Sequence, residues 1–109
     1  MRKIIFVELT PFVRFREEHW TDDELRALQR FLLVTPTAGD VIRGTGGLRK
    51  LRWAASGRGK RGGARVIYYL QISADRIYLV YGYVKAKQED LTPQQLRVLA
   101  ALMKEVDDG

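Results

Sequence analysis

The sequence predicts an α+β fold: an antiparallel sheet of about four to five strands, with two N-terminal helices and one C-terminal helix. Three observations carry that prediction. Two helix-start patterns, "TDDE" at Thr21–Glu24 and "TPQQ" at Thr92–Gln95, each open an amphipathic run. Two β-rich runs, Ala64–Gln71 and Arg76–Val84, are separated only by a short turn. The order is one strand, two helices, about three consecutive strands and one helix, which favours hairpins over βαβ crossovers and a sheet carrying its helices at one side.

Taken in order, Lys3–Glu8 reads as a first strand ended by the Thr10-Pro11 turn signal. Phe12–His19 follows as a short helix with Phe12, Phe15 and Val13 as candidates for its buried side. Thr21 caps a second helix in which Leu25, Leu28 and Leu32 recur at helical spacing and Phe31 widens the stripe. Pro36 and Gly39 end it. Asp40–Gly47 reads as a loop with three glycines. Leu48–Ala54 alternates, with Leu48, Lys50 and Arg52 on one side and Arg49, Leu51 and Trp53 on the other. Ser56–Gly63 is a turn between this strand and Ala64–Gln71, and Asp75 closes a tight turn into Arg76–Val84. Pro93 stands at the first position of the last helix, where its missing N–H costs nothing. That helix buries Leu96, Leu99, Met103 and Val106, and the Asp107-Asp108 tail is expected to fray. Residues 1–109 form one domain, without repeat or linker.

Composition narrows the chemistry. The chain has no cysteine, which excludes disulfides and thiolate catalysis and points to a cytoplasmic protein. Its single histidine, His19, excludes a histidine pair within one chain and argues against a protein-ligated metal. No window approaches the ~18 apolar residues of a membrane span, so no membrane role is expected. The net charge of +6 is unevenly spread. Between Val41 and Ala74 stand eight basic residues, Arg43, Arg49, Lys50, Arg52, Arg58, Lys60, Arg61 and Arg65, and no acid. The rest of the chain holds 11 basic and 13 acidic residues. All the positive excess therefore lies in one central segment, as expected of a phosphate-binding surface.

The alternation gives that charge a direction. With Leu51 and Trp53 packed inward, Lys50 and Arg52 project from the opposite face. A hairpin through the glycine-rich turn brings Arg65 toward them, and Lys85 ends the next strand. A solvated charged strand face is the plain alternative, and periodicity alone leaves the two open. Gly57, Gly59, Gly62 and Gly63 stand among Arg58, Lys60 and Arg61, but no GxxxxGK[ST] or GxGxxG pattern is present. A basic hairpin that clamps a nucleic-acid backbone and a plain turn both fit this stretch. Among Tyr68, Tyr69, Tyr78, Tyr81 and Tyr83, strand parity sends some to the core and others outward.

The runs "GDVIRGTGGLRKLRWAASGRGKRGGARVIYYL" and "IYLVYGYVKAKQEDLTPQQ" resemble the RelE/ParE superfamily of bacterial toxins, closest to the HigB-type branch of RelE-like toxins. The resemblance spans nearly the whole chain. It implies a RelE-like sheet flanked by helices and a toxin of a type II toxin–antitoxin module. It further implies an mRNA interferase that cleaves translated messages on the ribosome, neutralised by a cognate antitoxin, expected to be a helix-turn-helix protein of HigA type. Cleavage in such toxins uses the RNA 2′-hydroxyl and no metal or cofactor.

On that resemblance, Lys50, Arg52, Arg65 and Lys85 match the family's catalytic basic positions, with Lys85 and Lys87 both fitting the last one. Lys50 is then the base, Arg52 orients the scissile phosphate, Arg65 stabilises the transition state, and Lys85 contacts the phosphate or donates a proton. Cationic neighbours disfavour the charged form of Lys50, which suits it to accept a proton. Arg49, Arg58, Lys60, Arg61, Tyr83 and Lys87 are the candidate RNA-binding residues. The family's tyrosine after the last strand has no counterpart in Gln88–Leu91, and Tyr83 is the candidate substitute. Two alternatives stand beside this reading: a ParE-like DNA gyrase inhibitor without nuclease activity, and a non-catalytic nucleic-acid-binding module.

Overall fold

The computed structural model describes residues 3–54, 63–88 and 90–108. Its elements are β1 (Ile5–Glu8), α1 (Thr10–His19), α2 (Asp22–Val34), β2 (Asp40–Val41), β3 (Leu48–Trp53), β4 (Ala64–Gln71), β5 (Arg76–Val84) and α3 (Pro93–Asp108). The five strands form one sheet in the order β1-β5-β4-β3-β2. Every neighbouring pair is antiparallel except β1 and β5, which run parallel.

The two central strands explain why the sheet is covered on both sides. The sequences of β4 and β5 are near-continuous apolar runs, and such runs are stable only where both faces are dry. One face carries Leu51, Val66, Tyr68, Ile77 and Leu79 against Phe12 and Phe15 of α1 and Leu25, Leu28 and Leu32 of α2. The other carries Leu48, Ile67, Tyr69, Tyr78 and Val80 against Leu99 and Met103 of α3. The helices thus lie on both faces and not at one side as expected, because both faces of β4 and β5 are apolar, and the result is a three-layer arrangement.

Local capping holds the helix starts where the sequence places them. The Thr21 hydroxyl accepts from the Glu24 N–H while the Glu24 carboxylate accepts from the Thr21 N–H. Thr92 and Gln95 reproduce this reciprocity at the start of α3. At α1 the structure departs from the expected turn: Thr10 and Pro11 begin the helix instead of preceding it. Proline suits that first turn because its fixed φ is already helical and its absent N–H has no partner to lose.

Three further differences have physical causes. Asp40 and Val41 are not loop but a short edge strand, pairing with Lys50 and Arg49. Thr45 holds the turn behind it by donating to the Ile42 carbonyl and accepting from the Leu48 N–H. Phe31 leaves the core stripe of α2 and lies half exposed against Trp53, ring centroids 5.2 Å apart. Asp107 does not fray: its carboxylate accepts from the Tyr69 hydroxyl and, at 3.0 Å, from the Gln71 side-chain amide, docking the end of α3 on β4. The turn expected over Ser56–Gly63 lies, apart from Gly63, outside the described residues. None of the helices described is long and apolar enough to cross a membrane.

Candidate nucleic-acid interface

The basic residues of β3 and β4 come together through strand register. Arg52 is paired with Arg65, and Arg65 in turn with Tyr83 of β5. Directly opposed residues share a face, so this row stands on the α3 side of the sheet, as do Lys50 and Ile67. The α3 helix covers only the Leu48–Tyr69–Tyr78 end of that face. Beyond it the strands open into a groove of about 420 Å³ lined by Ala38, Asp40, Lys50, Leu51, Arg52, Arg65, Lys85 and Asp90.

A register shift in the β4–β5 ladder is what admits Tyr83 to this row. Tyr68 pairs with Leu79, yet Ile67 pairs with Tyr81, so Val80 is an extra residue on β5. One inserted residue reverses the side-chain alternation beyond it. Tyr81 and Tyr83 therefore turn toward the α3 side, and Gly82 turns toward α1. A Cβ at Gly82 would stand 2.4 Å from a ring carbon of Phe15. The strand approaches the helix so closely there that only glycine fits.

All four residues expected to be catalytic line the one groove. Arg65 is only 7% exposed, its guanidinium donating to the Ala64 carbonyl at 3.3 Å, whereas Arg52 is exposed. The sheet thus presents a buried guanidinium with an exposed one beside it. The Lys85 N–H donates to the Gly63 carbonyl, carrying the hairpin one bond past β5 and turning the chain at the groove's edge.

The groove also contains an acid that the sequence reading passed over. Asp90, on the connection to α3, accepts on one carboxylate oxygen from Lys50 Nζ at 3.2 Å, the Tyr83 hydroxyl at 3.3 Å and the Leu91 N–H at 2.8 Å. The Leu91 N–H above all holds its carboxyl below the ordinary value, against the opposing effect of burial and with Lys50 and Tyr83 assisting. Tyr83 is pushed the other way, up to about 12, first by burial and then by the Asp90 charge and hydrogen bond. Its phenol thus stays protonated at neutral pH. The signal for Asp90 is the acidic pair Glu89-Asp90 between the last strand and the Thr92 cap.

The remaining candidates separate. Arg49 points to the opposite side, donating to the Thr37 and Gly39 carbonyls at 3.3 and 2.7 Å, where it ties the α2–β2 connection to β3. Lys87 lines another depression, with Arg14, Glu18, His19, Tyr81 and Gln88. Lys85, not Lys87, is therefore the lysine beside Lys50 and Arg65. Arg58, Lys60 and Arg61 lie outside the described residues. His19 is accounted for locally, 3.0 Å from Glu18 and against the Phe15 ring.

Comparison with known proteins agrees with this architecture. The structure of a mutant of the E. coli toxin RelE in the free state superposes with a TM-score of 0.62, at 11% sequence identity, covering 94% of this chain and 98% of that one. The resemblance at that identity is one of fold. A family model described as the RelE toxin of the RelE/RelB toxin–antitoxin system matches residues 5–108, from β1 to the end of α3. The chain with this open basic groove belongs to the RelE toxin family.

Proposed function

We propose that this toxin is a ribosome-dependent mRNA interferase of the HigB-type branch, acting in the cytoplasm and neutralised by a helix-turn-helix antitoxin of HigA type. The observation that carries the reading is the convergence of Lys50, Arg52, Arg65 and Lys85 on one groove. Four cations around a space of that size suit a phosphodiester whose transition state gains negative charge.

In the proposed reaction Lys50 takes the proton of the RNA 2′-hydroxyl and the 2′-oxygen attacks the adjacent phosphorus. Arg65 and Arg52 hold the non-bridging oxygens as the bond to the 5′-oxygen breaks. Lys85 gives a proton to that leaving oxygen. The products are a 2′,3′-cyclic phosphate and a free 5′-hydroxyl. Lys87 and the segment containing Arg58, Lys60 and Arg61 supply contacts to the RNA backbone away from the scissile phosphate.

Primer extension on messages in a translating extract tests this reading. Lys50→Ala and Arg65→Ala should each lower cleavage by about 100-fold or more while the folded circular dichroism spectrum is retained. Wild-type cleavage by both folded variants would overturn the site. Filamentation and DNA damage in induced cells, with protein synthesis intact, would instead favour gyrase poisoning.

A further inference from the structure

We infer that Asp90 is a positioning residue for RNA cleavage: one carboxylate oxygen, anchored to the backbone, holds Lys50 in the groove in fixed relation to Tyr83 behind it. The inference rests on the cleavage reading above and adds to it a residue that the basic-cluster argument alone does not supply.

The anchoring is the first ground. The Leu91 N–H bond ties the carboxylate to its own backbone, one residue before the Thr92 cap that starts α3. The loop thus sets the carboxylate, and the carboxylate sets Lys50. A lysine side chain surrounded by Arg52, Arg65 and Lys85 is repelled from the groove and carries about 2 kcal/mol of rotamer entropy. A fixed acid counters both effects, and of the two acids among the described residues lining the groove, Asp40 and Asp90, it is Asp90 whose oxygen meets Lys50 Nζ.

The direction of the electrostatic effect is the second ground. Asp90 places negative charge where an RNA phosphate must enter, so it weakens phosphate binding. It also holds the Lys50 nitrogen, 3.2 Å from its own oxygen, at the place where the 2′-hydroxyl proton is to be taken. A residue that opposes binding and assists proton transfer leaves a signature that neither a structural residue nor an ordinary RNA contact leaves. Its removal moves affinity and rate in opposite directions.

The experiment compares wild type, Asp90→Asn and Asp90→Glu in two assays. Single-turnover cleavage is measured on a message in translating ribosomes. Affinity is measured for the same programmed ribosomes carrying a 2′-deoxy nucleotide at the mapped scissile position, which removes the nucleophile. Asp90→Asn keeps an acceptor for the Leu91 N–H and should cleave about 100-fold more slowly, the scale of a misplaced catalytic group. It should bind the deoxy-substituted complex as tightly as wild type or more tightly. Asp90→Glu should recover part of the rate. Unchanged or faster cleavage by Asp90→Asn would overturn the inference, as would a loss of rate matched by an equal loss of affinity or by unfolding. Absence of cleavage by the wild-type protein would overturn the cleavage reading itself, and this inference with it.

Discussion

Arg65 of β4 stands directly opposite Tyr83 of β5, a pairing created by the extra residue at Val80. In an unbroken ladder Arg65 would face Gly82, and Tyr83 would point to the α1 side. The bulge therefore does two things at once. It gives α1 a glycine to pack against and gives the basic groove a buried, protonated phenol behind it.

Gly82 is the position that tests this arrangement from the packing side. In Gly82→Ala the new methyl meets the Phe15 ring, itself buried. Overpacking of this kind costs about 1–3 kcal/mol. Urea denaturation should show a lower midpoint with an unchanged slope. A control substitution at the exposed Val34 should leave the midpoint within ~0.5 kcal/mol of wild type.

Tyr68 connects the core to the edge of the groove. Its fully buried ring ends in a hydroxyl that accepts from the Gly39 N–H and donates to the Pro36 carbonyl, both at 2.8 Å. Tyr68→Phe leaves both backbone groups without that partner, at a cost of about 1–3 kcal/mol. Because Gly39 leads directly into β2, amide exchange at Asp40 and Val41 should rise more than exchange in β4. Equal protection throughout the sheet would contradict the assigned role.

Lys85 and Lys87 should behave differently despite their proximity in sequence. Lys85 shares a groove with Lys50, Arg52 and Arg65, whereas Lys87 lines the depression beside α1. Lys85→Ala should lower single-turnover cleavage by about 100-fold. Lys87→Ala should weaken affinity less than about 10-fold and leave the rate at saturation unchanged. The reverse order would move the proton-donor role to Lys87.

Two tyrosines predict a loss of stability in alkali. Tyr69 is pushed up to about 12, chiefly by its hydrogen bond to Asp107, and Tyr83 to about 12, chiefly by burial. An unfolded tyrosine ionises near pH ~10. The folded chain therefore holds these protons more tightly than the unfolded chain. Their contribution is complete below pH ~10 and is lost as pH rises through the folded value of about 12. Denaturation midpoints measured across that window should fall, and Tyr69→Phe or Tyr83→Phe should each make the fall shallower.

Several features were legible because their causes are local. The Thr21 and Thr92 caps depend on residues three apart, and α2 and α3 begin as those caps require. The runs Ala64–Gln71 and Arg76–Val84 form strands with the bounds that their β-rich composition marks. Alternation along Leu48–Trp53 put Lys50 and Arg52 on one face and Leu51 and Trp53 on the other. Each needs only the geometry of one turn or one strand.

What tertiary structure alone decided involves residues distant in the chain or equivalent in pattern. The parallel pairing of β1 with β5 depends on where the helical connection returns the chain. Arg49 differs from Lys50 in partners because β2 and its approach lie on one side of β3. Lys85 and Lys87 separate only once the chain turns after β5. Lys50 and Asp90 meet across 40 positions, joined by register and a loop anchor that no local periodicity encodes. Sequence therefore determined which of the longer elements form, though not the edge strand β2, and which strand face carries the charge, since these follow from short-range sterics and burial. Folding decided which charges share a groove, since that follows from strand register, one inserted residue and the close approach of Gly82 to Phe15.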